Sequence, residues 1–107
     1  KCANMMRPML ALYAGDMGAR GTNFHFEVCA RMGYEDVALK VQDLYLAGKK
    51  DEAAACIPLS MVEDVALVGS IEKIRDDMAK WRESCITTFL VSGPAQVLSK
   101  YADIIHG

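Results

Sequence analysis

Residues 85–91 read Cys-Ile-Thr-Thr-Phe-Leu-Val, an uncharged run rich in β-branched and aromatic side chains with little polar alternation. That pattern predicts a strand covered on both faces. A strand of this kind constrains the whole chain, because its backbone amides and carbonyls need a neighbouring strand to bond to. The rest of the sequence offers one candidate, the short apolar run Val-Ala-Leu-Val-Gly at 65–69. The neighbours of the stronger strand are therefore expected to lie outside this chain.

Everything else reads as helix and loop. Met5, Met6, Met9, Leu10 and Tyr13 have helical spacing, with Pro8 either near the start of that helix or at a kink in it. Gly15, Gly18 and Gly21 are expected to break it. Thr22 or Asn23 can then cap a second helix that runs to about Arg31 and ends at Gly33. Val37, Val41, Leu44 and Tyr45 define a third, closed by Gly48. Asp51 is a candidate cap for a short alanine-rich turn, and Pro58 opens a helix with Leu59, Val62 and Val65 on one face. Ser70 caps a helix whose apolar seam is Ile71, Ile74, Met78 and Trp81. After the candidate strand, Ser92-Gly93-Pro94 turns the chain into a last helix with Val97, Leu98, Tyr101 and Ile105 inward.

A chain of 107 residues with 52% hydrophobic and 24% charged side chains has the make-up of one folded domain. Its formal net charge of −2 and the lack of a basic stripe argue against nucleic acid as a partner. No apolar run approaches the roughly 20 residues that cross a bilayer, and no signal segment opens the chain, so cytoplasmic residence is expected. Cys2, Cys29, Cys56 and Cys85 form no C-x-x-C pair, and His25 and His106 have no ligand-spaced neighbours. They read as free thiols and isolated histidines. No metal site is expected.

Four stretches carry a resemblance. "RPMLALYAGDMGARGTNFHFEVCARMGYE", "DLYLAGKKDEAAACIP", "VEDVALVGSIEKIRDDM" and "WRESCITTFLVSGP" resemble, in order and spacing, the closing segment of luciferase-like monooxygenases of the F420-dependent class. The chain departs from that pattern at Asp16, Ile71 and Cys85, where the family commonly has glycine, proline and glycine. The resemblance implies an α/β fold: a C-terminal fragment of a TIM (β/α)8 barrel, mostly helical with one or two short strands. A complete barrel takes about 250 residues. Residues 1–65 would then be a helical insertion region and 66–107 the last helix–strand–helix unit.

The resemblance further implies an oxidoreductase that moves hydride between a reduced coenzyme, F420 or alternatively FMN, and an organic substrate. The isolated chain is expected to be inactive and to bind neither coenzyme, so no catalytic residue is carried over. Candidate cofactor contacts are Gly15 and Gly18 in the glycine-rich loop, and Ser92 and Gly93 on what would be the barrel rim. Arg7 and Arg20, flanking the loop, are candidates for an anionic substrate. Expected partners are the rest of such a barrel and a second copy of the chain, since unpaired apolar helix stripes favour self-association. The competing expectation is a small helical interaction module without catalytic activity.

Overall fold

The structure, a computed structural model, describes residues 1–91 and 93–107. Among the described residues seven α-helices follow one another: α1 (Cys2–Asp16), α2 (Phe24–Cys29), α3 (Glu35–Leu46), α4 (Lys50–Ala55), α5 (Leu59–Val65), α6 (Ile71–Arg82) and α7 (Ala95–His106). The chain divides into two compact units, Lys1–Ala66 and Leu67–Gly107.

No strand occurs among the described residues. Val65 ends α5, residues 66–69 have no regular structure, and neither have residues 86–91. This overturns the expectation of an α/β barrel fragment. The composition of 85–91 does favour a strand, but a strand exists only when a second one satisfies its backbone, and none lies within reach. The described fold is wholly helical.

In the first unit, α1 packs on α3 and α4 through small side chains. Ala11, Ala14 and Gly15 of α1 are buried, as are Ala38, Val41 and Gln42 of α3 and Ala53 of α4. Ile57, Met61 and Val62 complete this interior. Small residues let two helix axes approach closely. The large side chains of α1 consequently point elsewhere, and Met5 and Met9 are 77% and 44% exposed. Helical spacing alone predicts packing for Met5 and Met9, which their exposure corrects, whereas Met78 of α6 is buried as its spacing predicts.

Gly15 does not break α1, which continues through Asp16. Gly33 does interrupt the path between α2 and α3: with φ at 93° it adopts the left-handed conformation that a Cβ disfavours. Asn23 and Ser70 are N-caps whose side-chain oxygens accept from the amides of Phe26 and Lys73. Lys49, not Asp51, precedes α4, and Asp51 sits inside the first turn, where its charge suits the helix dipole. Pro58 and Pro94 each stand one residue before their helices.

In the second unit α6 packs on α7. Arg82, in the last turn of α6, donates through Nη2 to the carbonyls of Ile104 at 2.8 Å and Ile105 at 3.1 Å. These belong to the last four carbonyls of α7, which have no partner within their own helix. Trp81 meets Phe89 with ring centroids 5.9 Å apart. Of the residues expected inward on α7, Val97, Tyr101 and Ile105 are half-buried, while Leu98 is 38% exposed and the fully buried position is Ile104.

One interior group is out of place. Gln42 is 3% exposed, and its Nε2 has no hydrogen-bond partner among the described residues. A buried amide without a partner costs about 1–3 kcal/mol. Gln42→Met keeps length and helix propensity while removing that amide. It is expected to raise the unfolding free energy by about 1 kcal/mol, read as a higher denaturation midpoint at unchanged slope.

Candidate interaction surface

Met5, Met9 and Tyr13 recur every four residues along α1 and so share one face of it. The stripe continues onto α2 through aromatic contacts. Tyr13 and His25 have ring centroids 4.6 Å apart, and His25 and Phe24 are 5.6 Å apart, both edge-on. Phe24 is 69% exposed. Tyr13 and His25 are half-buried, so the exposed members are Met5, Met9 and Phe24; exposed methionine and aromatic side chains are a feature of docking surfaces, where flexible thioethers adapt to the partner.

Asn23 fixes the geometry beneath this stripe. Its Oδ1 accepts from the Phe26 amide at 3.1 Å, and its Nδ2 donates to the carbonyls of Tyr13 and Ala14, both at 3.0 Å. One buried side chain thus caps the start of α2 and satisfies two carbonyls in the last turn of α1. The reversed amide would aim oxygen at two carbonyls, so only this orientation is stable.

The residues singled out from sequence have other engagements. Gly15 lies buried where α1 meets α3: a Cβ there would stand 2.7 Å from the Cβ of Tyr45. Gly18, at φ +154°, is held 3.0 Å (from an imagined Cβ) from the Asn23 backbone. Gly93 precedes α7 in the second unit, and Ser92 lies outside the described residues. Arg7 donates through Nε to the Ile57 carbonyl at 2.8 Å and through Nη1 to Asn4 Oδ1. Arg20 pairs with Asp43 at 2.6 Å, both side chains being more than half exposed. Both arginines hold elements of the first unit together.

Protonation adds little chemistry. The Tyr34 hydroxyl donates to Asp64 at 2.6 Å, and this bond raises the phenol above its ordinary value, so what it contributes to stability is whole below that ordinary value and is lost as pH rises from there through the raised one. Burial pushes the Cys29 thiol up. Because the thiolate is the reactive form, Cys29 is expected to alkylate several-fold more slowly at neutral pH than the exposed Cys2 and Cys85, as read by peptide mass mapping over time. No group of three or more His, Cys, Asp or Glu side chains able to hold a metal occurs among the described residues. No helix among them is long and apolar enough to cross a membrane.

Against known proteins, the chain is 43% identical over 101 residues to a protein of Mycobacterium tuberculosis whose name gives it as a candidate coenzyme F420-dependent oxidoreductase. The match takes in 94% of this chain but 29% of that protein, so the chain spans less than a third of its relative's length. No protein family model matches the chain. No solved structure matches it either. The relative is thus a homologue of partial coverage. The expectation that this chain is a piece of a barrel oxidoreductase or monooxygenase is corrected by the sheet-free fold of the described residues.

Proposed function

We propose that this chain is a small helical protein-interaction module with no catalytic activity of its own. The observation that carries this reading is that Met5, Met9 and Phe24 lie exposed along α1 and α2, while α1 turns its small residues Ala11, Ala14 and Gly15 to the interior. Both arginines considered for substrate binding are occupied within the first unit, which supports the same reading. The likeness to the mycobacterial protein supports common descent with the luciferase-like, F420-dependent class. Ancestry and present use are separate matters. The proposal extends to the coenzyme: neither F420 nor FMN binds this chain alone. The four free thiols support residence in a reducing compartment such as the cytoplasm.

The test places a photo-crosslinking residue at Met9, at Phe24 or at the outward Lys40 of α3. Discrete protein adducts are expected from the first two positions and not from the third. Equal yields from all three, or a saturable change in coenzyme absorbance when F420 or FMN is titrated into the chain, would overturn the reading.

A further inference from the structure

We propose that residues 85–91 are a β-pairing segment, and that their partner is the same segment of a second copy of this chain, antiparallel and centred on Thr88. This deepens the interaction-module reading and rests on it, but it concerns the second unit and not the α1–α2 stripe.

Three observations lead there. The first is backbone state. Among the described residues no backbone-to-backbone hydrogen bond reaches 85–91, and the local bond is that of the Ile86 amide to Ser84 Oγ. Strand-forming residues whose amides and carbonyls have no backbone partner are a template for strand addition.

The second is side-chain exposure. Leu90 is 100% exposed, Val91 41% and Ile86 39%, whereas Phe89 is half-buried with its ring against Trp81. In an extended strand Ile86, Thr88 and Leu90 share one face, and Cys85, Thr87, Phe89 and Val91 share the other. Phe89 has Trp81 of α6 behind it, whereas Leu90, on the opposite face, is fully exposed. A two-stranded ribbon alone is marginal, but one backed by a helix is not, and Trp81 of α6 supplies that backing.

The third is self-complementarity, which selects the partner. With Thr88 opposite its own copy on the two-fold axis, Ile86 faces Leu90, Thr87 faces Phe89 and Cys85 faces Val91. Every pair is apolar–apolar, Thr–Thr or Thr–aromatic, the kinds that stabilise antiparallel strands. No charged residue lies between Ser84 and Ser99, so no like charges oppose one another. A sequence that matches itself in this way suits an isologous dimer.

Chain geometry allows it. Arg82 ties the end of α6 to the last carbonyls of α7. The first residue of α7 stands about one helix length, roughly 18 Å, from that point. That distance is less than half of the roughly 40 Å that a connection of this length could span when fully extended. The segment can therefore step outward to a second copy without unseating either helix.

The experiment reads register. In a background with the exposed Cys2 and Cys85 changed to serine, three single variants are compared under mild oxidation: Ile86→Cys, Thr88→Cys and Leu90→Cys. Directly opposed residues of antiparallel strands lie within disulfide reach, so Thr88→Cys is expected to form intermolecular disulfides about tenfold faster than either other variant alone. A mixture of Ile86→Cys and Leu90→Cys should cross-link heterotypically at a comparable rate. In sedimentation, the unmodified chain should rise from its 11.7 kDa monomer mass towards the dimer with concentration. Thr88→Pro, which removes a ladder donor, should stay monomeric with unchanged helical circular dichroism. A chain that remains monomeric at millimolar concentration overturns the inference. So does a dimer that survives Thr88→Pro, or cross-linking with no preference for position 88. None of these results touches the photo-crosslinking expected at Met9 and Phe24.

Discussion

Asn23→Ala is expected to lower the unfolding free energy by about 3 kcal/mol, more than an ordinary helix cap contributes. A cap alone is worth about 1 kcal/mol. The excess comes from the other end of the side chain, where Nδ2 serves the carbonyls of Tyr13 and Ala14 in a buried setting. Leaving buried acceptors unsatisfied costs about 1–3 kcal/mol. Asn23→Asp separates the two roles. Aspartate caps helices as well as asparagine does, yet here its second oxygen would face two carbonyl oxygens. It is expected to be nearly as damaging as alanine, and equilibrium denaturation of the three proteins measures this. An Asn23→Asp variant as stable as the parent would show that the α1 contacts contribute nothing.

The second large effect is at Gly15. An added Cβ would stand 2.7 Å from the Cβ and 2.9 Å from the Cγ of Tyr45, atoms too near the backbone to swing aside. Alanine is normally the better helix former, by about 1 kcal/mol. Gly15→Ala is nonetheless expected to destabilise by about 2 kcal/mol, because α1 and α3 must be pushed apart and overpacking outweighs propensity. Tyr45→Gly should relieve part of the clash. A double-mutant cycle is expected to give a favourable coupling of about 1 kcal/mol between the two positions. Additive effects would mean that the helices yield freely.

What the sequence made legible was local. Asn23 and Ser70 stand where caps belong, and Gly33 and Gly48 stand where helices turn away, because these choices depend on a few neighbouring residues. The spacing of Ile71, Ile74, Met78 and Trp81 identified a helix and its buried Met78 for the same reason. Non-local roles were not legible. The reach of Asn23 back to Tyr13 and Ala14 has no sequence signature. Likewise, Gly15 reads as a helix breaker until Tyr45 is set against it. The exposure of Met5 and Met9 was not legible either, because helical spacing shows that an apolar face exists, not whether this chain covers it. A signal was nevertheless present: Ala11, Ala14 and Gly15 form a small-residue face on the same helix, and close packing uses such faces. Residues 85–91 show the same limit more sharply, since strand propensity is a property of the segment and a sheet is a property of its neighbours. The glycine and arginine candidates followed phosphate-binding logic, while their actual partners, Tyr45, Ile57, Asn4 and Asp43, are distant in sequence or unremarkable in kind.

The close approach of α1 to α3 also bears on how this chain can diverge. Two β-carbons cannot occupy the space between positions 15 and 45, whatever side chains they carry. Descendants of this sequence can therefore exchange the glycine from one helix to the other, but cannot lose it from both. Any lineage that has drifted away from glycine at 15 should have acquired it at 45, or have re-spaced the two helices altogether.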